Sequence, residues 1–309
     1  MNRRDFISRV GMAAALGAGA SAAHGQAGGE KGAPFKLKYG PHFGMFVPKL
    51  GSKDPVDELK FAHDLGFRAW EDNGMKKRPV EEQGRIAKAM ADLGMQMGVF
   101  VVTGSASATE PTFAVKKDDV WNQVLAEIRE GVDVAKRCNV KWMTVVLGAY
   151  DLKLAWDYQT ANAVELLKRC CDILEPHGLV MVLEPLNRHT NHPTMFLAES
   201  PHAYQICKAV GSPSCKILFD IYHQQITEGN LIPNIDLCWD EIGYFQAGDN
   251  PGRKEPGTGE INYRRVFQHI HQKGFQGIVG MEHGVAGKGP EGVDALVKAY
   301  READSFETT

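Results

Sequence analysis

Four side chains carrying oxygen acceptors stand where apolar runs of the chain end. Glu184 closes LVMVLEP, Asp220 falls in CKILFDIYH, Gln246 in IGYFQAGD and Glu282 in GIVGMEHG. The steps between them are 36, 26 and 36 residues (184 to 220, 220 to 246, 246 to 282). A (β/α)8 barrel spends roughly 30 residues on each strand–helix unit, and it keeps its chemistry at the C-terminal ends of its strands. Carboxylates crowded together repel one another and have raised pKa values. One divalent cation removes that penalty, so the four acceptors read as a single metal site. An all-oxygen set that includes a neutral amide suits a hard ion, Mg2+ or Mn2+.

Other residues near these strand ends could touch a substrate. His223 follows Asp220 in Asp-Ile-Tyr-His and could orient a substrate oxygen, or stand behind the site or on the surface. Arg253, in Pro-Gly-Arg, has the planar fork that binds both oxygens of a carboxylate; a loop ion pair with Glu255 or Glu260 is the alternative. Glu260 is either a pocket residue or a brace for its own loop. His42, at the end of the first strand, divides the same way. Trp70, Glu71 and Asp72 end the second strand on the same face, with roles the sequence does not separate.

The elements that must hold these residues alternate along the chain. Strands are expected at Leu37–Phe46, Phe67–Glu71, Met97–Val102 and Lys141–Leu147, followed by the four runs above. Helices are expected near Asp54–Leu65, Pro79–Leu93, Asp118–Arg137, Thr160–Glu175, Pro201–Val210, Ile226–Leu231, Tyr263–Lys273 and Val293–Ala303. Alternation without hairpin signals predicts a parallel sheet. An open doubly wound sheet usually has a glycine-rich phosphate loop after its first strand, and His42-Phe43-Gly44-Met45 is not one. The expectation is a single α/β (β/α)8 TIM barrel over residues 31–309. Two long loops, Gly104–Lys117 and Gly148–Gln159, lie on its catalytic face; the second, with Tyr150, Trp156 and Tyr158, is expected to form a lid or a pocket wall.

Residues 1–30 differ in kind. Asn2-Arg3-Arg4-Asp5-Phe6-Ile7 followed by the Ala/Gly-rich apolar stretch Val10–Ala23 has the layout of a twin-arginine signal peptide and linker. It implies handling by the twin-arginine export machinery and a periplasmic mature chain. The six cysteines have neither zinc nor disulfide-scaffold spacing and are expected as buried structural thiols. A net charge of −3 with no basic stripe argues against a nucleic acid partner and for a small-molecule substrate. No run of about 18 apolar residues suggests a membrane span in the body of the chain.

The segments ILFDIYHQQITEGNLIPNI and FQAGDNPGRKEPGTGEINY, with Leu183-Glu184-Pro185-Leu186-Asn187 and Gly280-Met281-Glu282, resemble the hydroxypyruvate isomerase family within the xylose isomerase-like superfamily. The resemblance is specific over residues 179–284. It implies Glu184, Asp220, Gln246 and Glu282 as metal ligands, Glu184 and Glu282 also as the acid/base pair, and His223 and Arg253 as substrate contacts. The implied reaction is isomerisation of hydroxypyruvate or a similar hydroxy-carbonyl acid through an enediolate. Asp72-Asn73-Gly74-Met75 and Gly104-Ser105-Ala106-Ser107 depart from the loops of that family. An exported sugar epimerase or keto-glycoside lyase using the same site, or a non-catalytic sugar- or metal-binding barrel, therefore stand as alternatives.

Overall fold

A computed structural model of the chain describes residues 32–308. The expected signal segment lies outside the described residues. Eight short strands alternate with helices. The first half runs β1 (Lys38–Gly40), α1 (Val47–Leu50), α2 (Pro55–Asp64), β2 (Ala69–Trp70), α3 (Val80–Leu93), β3 (Gln96–Met97), α4 (Asp118–Cys138) and β4 (Trp142–Val145). It continues with α5 (Trp156–Leu174), β5 (Val180–Leu183), α6 (Ser200–Val210), β6 (Cys215–Asp220), α7 (Ile221–Thr227) and α8 (Leu231–Cys238). The chain then forms β7 (Ile242–Gln246), α9 (Tyr263–Gln272), β8 (Ile278–Gly280) and α10 (Gly289–Ala303).

Six strands pair in the order β1-β8-β7-β6-β5-β4, and β2 pairs with β3, all in parallel. Parallel bridges His42–Glu71 and Val101–Thr144 join the two sheets at either side, completing the circuit of a TIM barrel. The helices pack outside through periodic apolar faces. In α4 the buried positions Trp121, Val124, Ile128, Val132, Ala135 and Cys138 recur every three or four residues. Fully burying a side chain such as Ile128 is worth about 1.5–3 kcal/mol.

Several boundaries differ from the sequence expectation. The first strand stops at Gly40 because Pro41 has no N–H to continue the ladder; Phe46 instead precedes the short α1. The fourth-unit helix starts at Trp156, four residues before Thr160, so Trp156 and Tyr158 lie on its first turn and not in a loop. The helix expected at Ile226–Leu231 is two helices, α7 and α8, broken at Gly229 and Asn230, both at positive φ. The long loops are pinned rather than free. Bridges Pro111–Gly148 and Ala149–Met195 tie them to each other and to the loop after β5. The loop after β4 is thus tied at its start to both neighbouring loops. All six cysteines are buried and unpaired. Among the described residues no helix is long and apolar enough to cross a membrane.

Candidate active site at the carboxyl ends of the strands

Strand residues alternate between two environments, and the alternation positions the site. Ala69, Val99, Trp142, Val180, Val182, Leu218, Tyr244 and Ile278 form a small buried cluster apart from the large core shared with the helices. These are the residues that fill the barrel. Side chains two positions further along the same strand project to the same face. Counting from Val182, Leu218 and Tyr244 by two gives Glu184, Asp220 and Gln246; from Ile278 by four, past Gly280, it gives Glu282. One strand parity therefore aims all four acceptors inward, and Asp220 pairs in register with Gln246 and Gln246 with Gly280.

Arg253 ties two of them. Its Nη2 donates to Asp220 Oδ2 at 3.0 Å and to Glu282 Oε2 at 2.9 Å, and its Nε donates to the Glu282 carbonyl. The guanidinium lies over the Tyr222 ring. The alternative ion pair with Glu255 or Glu260 is not formed: Glu255 accepts from the Ala286 N–H, and Glu260 from Gln225 and Asn250. Arg253 itself has φ 51, in the left-handed region. Asp249, fully buried, fixes that loop by accepting from the backbone N–H groups of Asn250, Gly257, Gly259 and Ile261.

Asp220 also caps α7, its Oδ1 accepting from the Tyr222 N–H, so the helix begins directly off the strand. That places His223 one turn on and facing back. Its Nε2 lies 3.6 Å from Asp220 Oδ2 and 3.9 Å from Glu184 Oε1. Its Nδ1 accepts from the backbone N–H of Asn187 at 3.2 Å and from Asn187 Nδ2 at 2.6 Å. The amide of Asn187 is itself oriented, because its Oδ1 accepts from the N–H groups of Thr190 and Asn191. A backbone N–H only donates, so Nδ1 is the bare nitrogen and the proton of the neutral ring sits on Nε2. Burial pushes the imidazole down to about 4, which keeps it neutral.

The carboxyl groups feel their crowding. Burial, then Glu282 and Asp220, hold Glu184 well above the usual carboxylate range. Burial raises Glu282 to about 7, opposed by the Arg253 charge and by a hydrogen bond from Asn73 Nδ2 to its Oε1. No hydrogen bond from a described residue reaches the Glu184 carboxylate. Gln246 Oε1 and His223 Nε2 are buried without a hydrogen-bond partner among the described residues. Such orphaned polar atoms around crowded carboxyl groups fit a cation and a substrate. Glu184, Asp220 and His223 offer ligand atoms within 4.8 Å of one another, and this buried triad is able to hold a metal ion.

The remaining expected substrate contacts, His42 and Glu260, bond to groups other than the four acceptors. His42 has its two ring nitrogens against the Phe43 and His283 carbonyls and bridges the ends of the first and last strands. Glu260 is exposed and braces its own loop. Glu71, by contrast, joins the interior. It lies two residues past Ala69, at the parity that would have marked it. Asp72 turns away to Arg78 and the Gly74 N–H.

A family model for the xylose isomerase-like TIM barrel matches residues 59–303. The chain belongs to the xylose isomerase-like TIM barrel family. Hydroxypyruvate isomerase of Escherichia coli (strain K12) is 34% identical over 161 residues, 51% of this chain and 62% of that protein. A putative hydroxypyruvate isomerase of Danio rerio is 32% identical over 260 residues, covering 81% of this chain and 91% of the relative. The first three relatives are each covered over only 62%, 53% and 48% of their own length. Among solved structures, a family 2 AP endonuclease from Brucella melitensis superposes with a TM-score of 0.71 at 20% identity, covering 85% of this xylose isomerase-like chain and 98% of that one. A 3-keto-D-glucoside 4-epimerase from E. coli (TM-score 0.70, 18% identity, covering 87% of this chain and 100% of that one) and a D-psicose 3-epimerase (TM-score 0.66, 20% identity, covering 85% and 90%) share the same fold.

Proposed function

We propose that this xylose isomerase-like barrel is a divalent-metal-dependent isomerase of a small hydroxy-carbonyl acid, of the hydroxypyruvate and tartronate semialdehyde type. The observation that carries it is the convergence of Glu184, Asp220, Gln246 and Glu282, with Gln246 Oε1 and the Glu184 carboxylate left without hydrogen-bond donors. In this reading Gln246 Oε1, rather than the His223 ring of the triad, is the fourth ligand. A metal would need the Nε2 lone pair, and Nδ1 is committed as acceptor. The four oxygens suit Mg2+ or Mn2+. When bound, such an ion supplies electrostatic stabilisation for negative charge developing on substrate oxygens.

The rest of the chemistry belongs to side chains. One of the pair Glu184 and Glu282 takes a proton from the hydroxymethyl carbon, and the electron pair left behind forms the double bond of an enediolate. The other returns a proton to the former carbonyl carbon, while the hydroxyl proton passes between the two oxygens. Two positioned carboxyl groups can alternate as base and acid in this way. His223 Nε2–H donates to a substrate oxygen as a neutral acid. Arg253 has Nη1 free of protein hydrogen bonds among the described residues and holds the substrate carboxylate.

A second reading rests on room. Asn73, bonded to Glu282, also lines a cavity of about 640 Å3 with Val101, Val102 and Val146, a volume in the range that takes ligands much larger than a three-carbon acid. A sugar epimerase or keto-glycoside lyase would use the same proton transfers. The purified protein, loaded with Mn2+ in deuterated water, should exchange label into hydroxypyruvate and lose that exchange with chelator. Label in free sugars or keto-glycosides alone would decide for the second reading. Binding without exchange into any carbon would leave a non-catalytic barrel. The segment Asn2–Ile7 adds a proposed compartment, the periplasm, which the N-terminal sequence of the protein recovered from that fraction tests.

A further inference from the structure

Glu71 is the most conspicuous group in the barrel that the reaction does not use. It is a carboxylate only 2% exposed. Its Oε1 accepts from Gln246 Nε2 at 2.9 Å and its Oε2 from the Tyr244 hydroxyl at 2.9 Å. Burying a carboxylate is strongly unfavourable unless it is hydrogen-bonded, and this one also lies near two other acids, Glu282 and Asp220. The surrounding strands make room for it. A Cβ at Gly280, on β8, would fall 1.8 Å from Glu71 Oε2, and one at Gly98 would fall 2.2 Å from the Tyr244 hydroxyl. Two positions on the barrel wall thus lack a side chain where this pair needs the space.

A glutamine amide has two faces, a donor and an acceptor, and nothing in its shape chooses between them. The acceptor Glu71 makes the choice: it takes the Nε2 side of Gln246 and leaves Oε1 with no protein partner. We propose that Glu71 is a positioning residue that fixes the amide of Gln246 so that its oxygen, and not its nitrogen, is presented to the cation. The inference rests on the metal reading given above. Tyr244 completes the arrangement by holding the second oxygen of Glu71, so that the carboxylate cannot rotate away.

The pairing can be reversed without changing its size or net charge. In Glu71→Gln the Tyr244 hydroxyl, which donates to Glu71 Oε2 in the native chain, keeps its donor role toward the new amide oxygen and turns the NH2 toward Gln246. Gln246 then flips, pointing nitrogen at the cation. In the double variant Glu71→Gln with Gln246→Glu, the amide at 71 donates to the carboxylate at 246, whose other oxygen again faces the cation. Isothermal titration with Mn2+ reads this directly, with thermal melting in EDTA as the measure of fold. Loss of an outer hydrogen-bond partner typically weakens metal binding by about 10–100-fold, and Glu71→Gln is expected to do so. The double variant is expected to return close to native affinity. A merely structural Glu71 would lower the melting temperature and leave the Mn2+ affinity unchanged. Unchanged affinity in the folded single variant, or a folded double variant that stays weak, overturns the inference while the metal reading stands. Should the single variant not fold, the double variant decides alone. No Mn2+ binding by the native protein overturns both.

Discussion

Asn187 Nδ2 reaches His223 Nδ1 at 2.6 Å, and the Asn187 backbone N–H reaches the same nitrogen at 3.2 Å. Two donors on one nitrogen set the tautomer of the ring that faces Asp220 and Glu184. An Asn187→Asp variant replaces one donor with an acceptor and favours the proton on Nδ1, leaving Nε2 bare. We predict a fall in kcat of about 10²–10⁴-fold on hydroxypyruvate, with KM changed little. Steady-state kinetics on the variant check it; an unchanged kcat would show that Nε2–H is not a donor in the reaction.

Glu184→Gln and Glu282→Gln remove the proposed base and acid without changing shape. Each is expected to abolish isomerisation. Full turnover in either variant, measured by conversion and by deuterium incorporation, contradicts the assigned pair.

The raised carboxyl groups make stability depend on pH. For an acid held above its unfolded pKa, the unfolded chain sheds its proton first, so stability falls as pH rises through the window between the two values. For Glu282 that window runs from the ordinary 4.5 to about 7, and Glu184 adds to it in the same direction. Between these pH values the metal-free native protein should therefore lose melting temperature relative to a Glu282→Gln variant, which has no such proton to release while the histidines lowered to about 4, His202, His223 and His283, contribute alike to both. Mn2+ should stabilise it more at pH 8 than at pH 5, because protons compete with the ion for the carboxylates. Calorimetric scans in EDTA and in Mn2+ across that range test both parts. A metal-free native protein whose melting temperature tracks that of Glu282→Gln through the window would overturn the electrostatic account.

Gly280→Ala puts a methyl group 1.8 Å from Glu71 Oε2. Overpacking of this kind typically costs about 1–3 kcal/mol, and the affected atom here belongs to a buried, bonded carboxylate. A variant as stable as the native chain by urea titration would show that Glu71 has another place to go.

Much of this was legible in the sequence because barrel strands impose a parity. Glu184, Asp220, Gln246 and Glu282 end apolar runs spaced by barrel units, and the structure brings them to one interior. Glu71 obeyed the same parity from Ala69, but Trp70 and Asp72 beside it are as large or as polar, so the end of a two-residue strand did not single it out. The orientation of His223 was not legible, since it depends on Asn187, 36 residues earlier (187 to 223), and on the turn that holds that amide. Arg253 meets Asp220 and Glu282 through a left-handed loop organised by Asp249, which charge spacing along the chain does not reveal. The helix start at Trp156 was obscured because Gln159 folds back to satisfy the backbone of Asp151 and Leu154, closing a turn that reads as an extended loop.

The central claim is that four protein oxygens close around one cation at the mouth of this barrel. A crystal structure of the Mn2+-soaked protein, with anomalous scattering recorded at the manganese edge, measures it most directly. The account predicts one strong peak in contact with Glu184, Asp220, Gln246 Oε1 and Glu282, and His223 outside the ligand shell. A peak bound through His223 Nε2 in place of Gln246, or no peak among these residues, would contradict it.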